Sequence, residues 1–86
     1  MKLKDGFILR EVAGEHVVLP SGDELNLNMM ITLNETGAFL WKKLQQETDE
    51  AALVSALLET YDVDVDMAAQ HVNTFIAKLR EHDFLD

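Results

Sequence analysis

Three histidines, His16, His71 and His82, are the side chains of this sequence best suited to metal or proton chemistry. An imidazole ligates metals and exchanges protons near neutral pH, but either task needs its partners to converge. His71 and His82 fall near one face of a helical segment. The eleven positions between them span about 16 Å of helix axis, too far to share a metal. His16 belongs to a strand segment, so a metal site would require convergence through the tertiary fold. Cysteine is absent, which removes thiolate nucleophiles, disulfides and Cys-based zinc sites together. The sequence has no Gly-rich phosphate loop, no His-Glu-x-x-His pair and no recognisable Ser or Thr nucleophile. Acid pairs are frequent, as a net charge of -9 makes inevitable, and they read as caps and solvated faces. Asn34-Glu35-Thr36 fits a glycosylation sequon, yet helix capping explains it better. No enzymatic activity, metal or cofactor is expected.

The elements that must position any site follow from periodicity. Phe7 to Val12 and Glu15 to Leu19 read as strands around the two-residue turn Ala13-Gly14. Pro20-Ser21-Gly22-Asp23 breaks the chain again. Leu25, Leu27, Met29 and Ile31 then alternate with Asn26, Asn28, Met30 and Thr32, a period of two that predicts a third strand, strongest from Met29 to Leu33. Tight connections make an antiparallel meander with the second strand central and the third at an edge.

Helical periodicity takes over after Leu33. A first helix is expected from about Glu35 to Gln46, with Gly37, Leu40, Trp41 and Leu44 on one face. Thr32 with Glu35 forms one possible capping box. Asn34 is the alternative and preferred cap, with Leu33 and Ala38 as its hydrophobic staple. Thr48 is expected to cap a second helix whose stripe is Leu53, Val54, Leu57, Leu58 and Tyr61. Asp64 is expected to cap a third, about Val65 to Glu81, whose stripe is Ala68, Ala69, Val72, Phe75, Ile76 and Leu79. Phe84 and Leu85 should fold back onto the core. The whole chain, 86 residues, suffices for a single α+β domain, residues 1–86: a winged-helix-like arrangement of a three-stranded antiparallel sheet followed by three helices.

Charge then narrows the partners. A net charge of -9 repels a phosphate backbone, and a recognition helix opening Asp64-Val65-Asp66 would face phosphate with carboxylates. Nucleic acid is not an expected partner. No apolar run approaches the roughly 20 residues of a membrane span, so the chain reads as soluble and cytoplasmic. What remains is a surface for polypeptide. An unprotected edge strand accepts an extended peptide through its free N–H and C=O groups. Met29 to Leu33 contains neither charge nor proline, and Met29 and Met30 are adaptable side chains; the alternative is that the methionines fill the core and the protein's own chain covers this edge. Proline at Ile31 would abolish such pairing if the Ile31 N–H faces the open edge.

Met30 to Trp41, read as MITLNETGAFLW, resembles the signature of PqqD-like proteins, the peptide-recognition chaperones named after a component of pyrroloquinoline quinone biosynthesis. Phe7 to Pro20 is similar to the family's opening hairpin. Leu57 to Val63 is similar to its inter-helix segment, and Phe75 to Arg80 to its last helix. The resemblance implies a non-catalytic protein that binds the leader segment of a ribosomally made precursor peptide. It further implies presentation of that peptide to a modifying enzyme, often a radical S-adenosylmethionine protein. The leader is expected to add to the strand Met29, Met30, Ile31, Thr32 and Leu33, in a groove beside the third helix. Helical spacing, rather than the resemblance, puts His71, Thr74, Phe75 and Lys78 on the facing side of that helix. Trp41 and Leu40 are expected in the core. The alternative is a structural or regulatory interaction module that self-associates through its edge strand, as a homodimer or by domain swapping.

Overall fold

The computed structural model describes residues 1–20 and 31–85. The turn Ser21-Gly22-Asp23, the alternation of Leu25 and Leu27, and Met29 and Met30 lie outside the described residues. Six elements follow in order: β1 (Phe7–Val12), β2 (Glu15–Pro20), β3 (Ile31–Leu33), α1 (Glu35–Lys43), α2 (Glu50–Thr60) and α3 (Val65–Glu81). The expected α+β plan, an antiparallel sheet followed by helices, is the plan observed. The sheet order is β1-β2-β3, with β2 central.

Ala13 and Gly14 both adopt positive φ, 52° and 83°, the primed turn whose twist matches two antiparallel strands. It fixes the register Val12↔Glu15 through Phe7↔Pro20. β3 continues the meander with Val18↔Ile31 and His16↔Leu33. Val18, Ile31 and Leu33 are buried on one face of this sheet, while Thr32 between them is exposed.

That face receives the helices. α1 contributes Leu40 and Trp41, and α3 contributes Ala68, Val72, Phe75, Ile76 and Leu79, all buried. The Trp41 indole N–H has no acceptor among the described residues, and its ring is buried in the core. In α2 only Leu53 and Leu57 are buried. Leu58, expected in that stripe, is exposed. It stands about 140° round the helix from Leu53, at the margin of the face.

Three caps share one geometry. Asn34, Asp49 and Asp64 each accept a hydrogen bond from the backbone N–H three residues on, at 2.7, 2.8 and 2.7 Å. The Asn34 side chain bonds Gly37 N, which decides between the two caps considered for α1. Asn34→Ala should therefore cost about 1 kcal/mol, read as a melting point lower by roughly 4–8 °C in a thermal scan by circular dichroism.

Two boundaries depart from expectation, and one segment explains both. α1 ends at Lys43 rather than near Gln46, and Asp49 rather than Thr48 caps α2. The Leu44 carbonyl, which a continuing helix would have used, accepts instead from Leu3 N at 3.0 Å. Thr48 N donates to the Met1 carbonyl at 3.0 Å, and the Thr48 carbonyl accepts from the Met1 amine at 2.7 Å. The start of the chain thus occupies the α1–α2 connection as an added extended segment. Leu3 is buried and bridges to Leu85. Phe84 is fully buried against Phe7 and Trp41, so the chain's end does return to the core.

Candidate peptide-binding groove

Among the described residues no strand pairs with the outer edge of β3, and the chemistry of that edge is set by the turn two strands away. Across a two-residue hairpin the flanking residues, here Val12 and Glu15, exchange hydrogen bonds, and the direction of the backbone groups alternates from there. Glu15 and Val17 therefore direct N–H and C=O toward β1, and His16 and Val18 direct theirs toward β3. Their partners Leu33 and Ile31 face β2 in return. Thr32 is left with both backbone groups directed outward, away from the sheet. The Ile31 N–H faces β2, contrary to the condition on which a proline test at that residue would depend.

Beside this edge runs a groove of about 640 Å³. β3 supplies Thr32 and Leu33. The start of α1 supplies Asn34, Thr36, Gly37 and Leu40. α3 supplies Met67, Gln70, His71, Thr74, Phe75 and Lys78. Gly37 allows the close approach of α1 to α3 here: a Cβ on it would stand 3.3 Å from Phe75 Cε1 and 3.1 Å from Asn34 Oδ1. The floor is apolar, from Leu33, Leu40 and Phe75. The rim is polar but uncharged except for Lys78, and no carboxylate is among the lining residues described. In a protein of net charge -9 that is a local exception. Lys78 Nζ reaches across and donates to the Thr32 carbonyl at 3.3 Å.

The structure brings His71, Thr74, Phe75 and Lys78 together with Thr32 and Leu33 on this groove. Phe75 serves both core and groove, at 7% exposure. The Ile31 side chain is buried in the core and does not line the groove. Trp41 is wholly core. Leu40 is nearly so, although it reaches the floor. Met67 and Gln70 were not foreseen. They lie one turn before His71 and Thr74, so the same helical spacing carried backwards finds them. Thr36 and Gly37 had a fainter signal, a small residue inside an apolar helix face.

A second groove of about 720 Å³ lies on the other side of the β3–α1 junction. Glu11, Glu15 and Glu35 line it with Lys42, above the edge-to-face pair Phe39 and Tyr61, whose centroids are 5.4 Å apart. His16 lines this groove and His71 the first. No group of three metal-ligating side chains converges among the described residues. Among those residues no helix is long and apolar enough to cross a membrane.

The model of the family "Coenzyme PQQ synthesis protein D (PqqD)" matches residues 15–85. The fold is similar to that of TbiB1, solved in complex with the TbiA(beta) leader peptide, at 21% identity and a TM-score of 0.77, covering 100% of this chain and 95% of that one. It is also similar to a lasso peptide synthetase B1 complexed with its leader peptide, at 18% identity and a TM-score of 0.74, covering 96% of this chain and 93% of the other. Among curated proteins no relative matches by sequence.

Proposed function

This chain belongs to the PqqD family, and we propose that it binds the leader segment of a ribosomally synthesised precursor peptide and presents it to a modifying enzyme. The leader adds as a strand to the β3 edge and lays alternate side chains into the groove against α3. The outward-facing backbone of Thr32, set beside an apolar-floored groove whose described lining residues include no carboxylate, is the observation that carries this reading. Backbone pairing supplies affinity without reading sequence, and the groove supplies selectivity. β3 is short, with three residues described, so the side-chain contacts to α3 carry much of the discrimination. The solved structures of similar fold hold leader peptides, which supports the same use here.

The chain acts as one recognition domain without a reaction of its own. Its contribution to catalysis is effective concentration: a peptide held near the enzyme reacts as if intramolecularly. The enzyme it serves is a peptide-modifying one, of the radical S-adenosylmethionine class that the family resemblance often implies or of another class. The test is a titration of the ¹⁵N-labelled protein with synthetic leaders of the precursor peptides encoded beside its gene. Shifts should concentrate on Thr32, Leu33, Gly37, His71 and Thr74, and the Thr32 amide should exchange more slowly with solvent in the complex. Shifts spread evenly over α2, or no binding to any such leader, would sink the reading. A concentration-dependent dimer that buries β3 and that no peptide disrupts would favour self-association instead.

A further inference from the structure

Lys78 sits where the groove and the open edge meet. Its ammonium donates to the Thr32 carbonyl at 3.3 Å, over a sequence separation of 46 residues. That carbonyl is the acceptor an incoming strand's N–H requires, and the ammonium occupies the lane the incoming backbone must enter. Lysine on an edge is a common protection against unwanted strand pairing. Strand addition displaces this one. The displaced ammonium stays tethered to the α3 wall, and among the described lining residues there is no carboxylate to receive it.

We propose that Lys78 guards the edge in the free protein and reads a carboxylate on the bound peptide. The preferred ligand is then an extended segment with an Asp or Glu two positions from a large apolar residue. The spacing follows from the groove. Lys78 lies beside Thr32, whereas Phe75 lies beside Gly37 and Leu33, toward the start of α1. Side chains i and i+2 of a strand point to the same face, so one reaches the ammonium while the other reaches the apolar floor. This inference rests on the strand-addition reading and deepens it.

The charge of the whole protein points the other way. At -9 its long-range field favours basic peptides. That field is screened beyond about 8 Å at physiological ionic strength, whereas a direct ion pair acts inside that distance. A preference for acidic peptides therefore has to arise locally.

The experiment is selection of random twelve-residue peptides by display on the full chain, on Lys78→Met and on Lys78→Arg. The wild type should enrich carboxylates at a fixed spacing of two from an apolar residue, each worth about two- to fivefold in affinity, the size of an exposed ion pair. Lys78→Met should keep the apolar preference and lose the acidic one; Lys78→Arg should keep both. Apolar enrichment without acids in the wild type, or acids surviving in Lys78→Met, would overturn the role of Lys78 and leave strand addition standing. Selection of no peptide at all would overturn both.

Discussion

Thr32→Pro is expected to weaken leader binding at least tenfold while leaving the fold in place. Proline deletes the one N–H that the described part of β3 directs outward, and its ring stands in the path of the incoming strand. One lost hydrogen bond nets only about 1 kcal/mol. Steric obstruction of the neighbouring pairs adds to it, and about 1.4 kcal/mol is a factor of ten. The folded state loses little, because the Thr32 N–H takes no part in the pairing with β2 and its side chain is exposed. Proline also restricts the preceding residue to extended backbone, which Ile31 already adopts as a strand residue. Ile31→Pro is the contrasting control. It removes an N–H directed at β2 and a side chain only 7% exposed, so it should lower stability by several kcal/mol. Calorimetric titration with leader peptide, alongside thermal melts, separates the two. A folded Thr32→Pro protein that binds as tightly as wild type would show that the peptide does not add to β3.

The contrast between those neighbours marks where sequence reasoning reached and where it stopped. Alternation and turn chemistry were local signals, and they placed β1, β2 and the order of the sheet. The caps Asn34 and Asp64, and the stripe of α3, were local as well: an acceptor side chain at a helix start and a spacing of three and four. The ends of α1 and the start of α2 were decided remotely. Leu3 and Met1 take up Leu44 and Thr48 by backbone hydrogen bonds across more than 40 residues, and no propensity of Gln45 or Thr48 encodes that. Leu58 shows the same limit on a smaller scale, since helical spacing gives a face but not its width. The groove was half foreseen. The flanks of the α3 stripe named four of its side chains, whereas the opposing wall at Thr36 and Gly37 depends on how α1 settles against Phe75. Which residue of β3 presents its backbone depended on the parity of the Ala13-Gly14 turn, readable only once the register was known.

Phe84→Ala should produce the largest loss of stability, although Phe84 lies outside both grooves. Its ring is fully buried, 4.5 Å from the Phe7 ring and 5.8 Å from Trp41, and it stacks on His82 at 5.7 Å. Its backbone completes the end of α3. Phe84 N donates to Leu79 O at 2.9 Å and Asp83 N to Arg80 O at 3.1 Å, around Asp83 at φ 60°. This is the Schellman closure, with buried Leu79 and Phe84 as its hydrophobic pair. The Phe84 carbonyl then accepts from Lys4 N at 2.8 Å. One residue thus joins the first segment, α1 and the end of α3. Removing such a ring typically costs about 3–5 kcal/mol. A domain of this length has roughly 4–13 kcal/mol in all, so the melting point should fall by more than about 12 °C. A melt within a few degrees of wild type would show that the aromatic cluster is not where the fold holds together. Because the groove itself is untouched, saturating leader should restore part of the loss, about 2.7 kcal/mol at a hundredfold excess over Kd. Thr32→Pro, with binding at least tenfold weaker, should gain at most about 1.4 kcal/mol from the same peptide concentration, and that pair of melts separates residues that hold the domain from residues that hold its ligand.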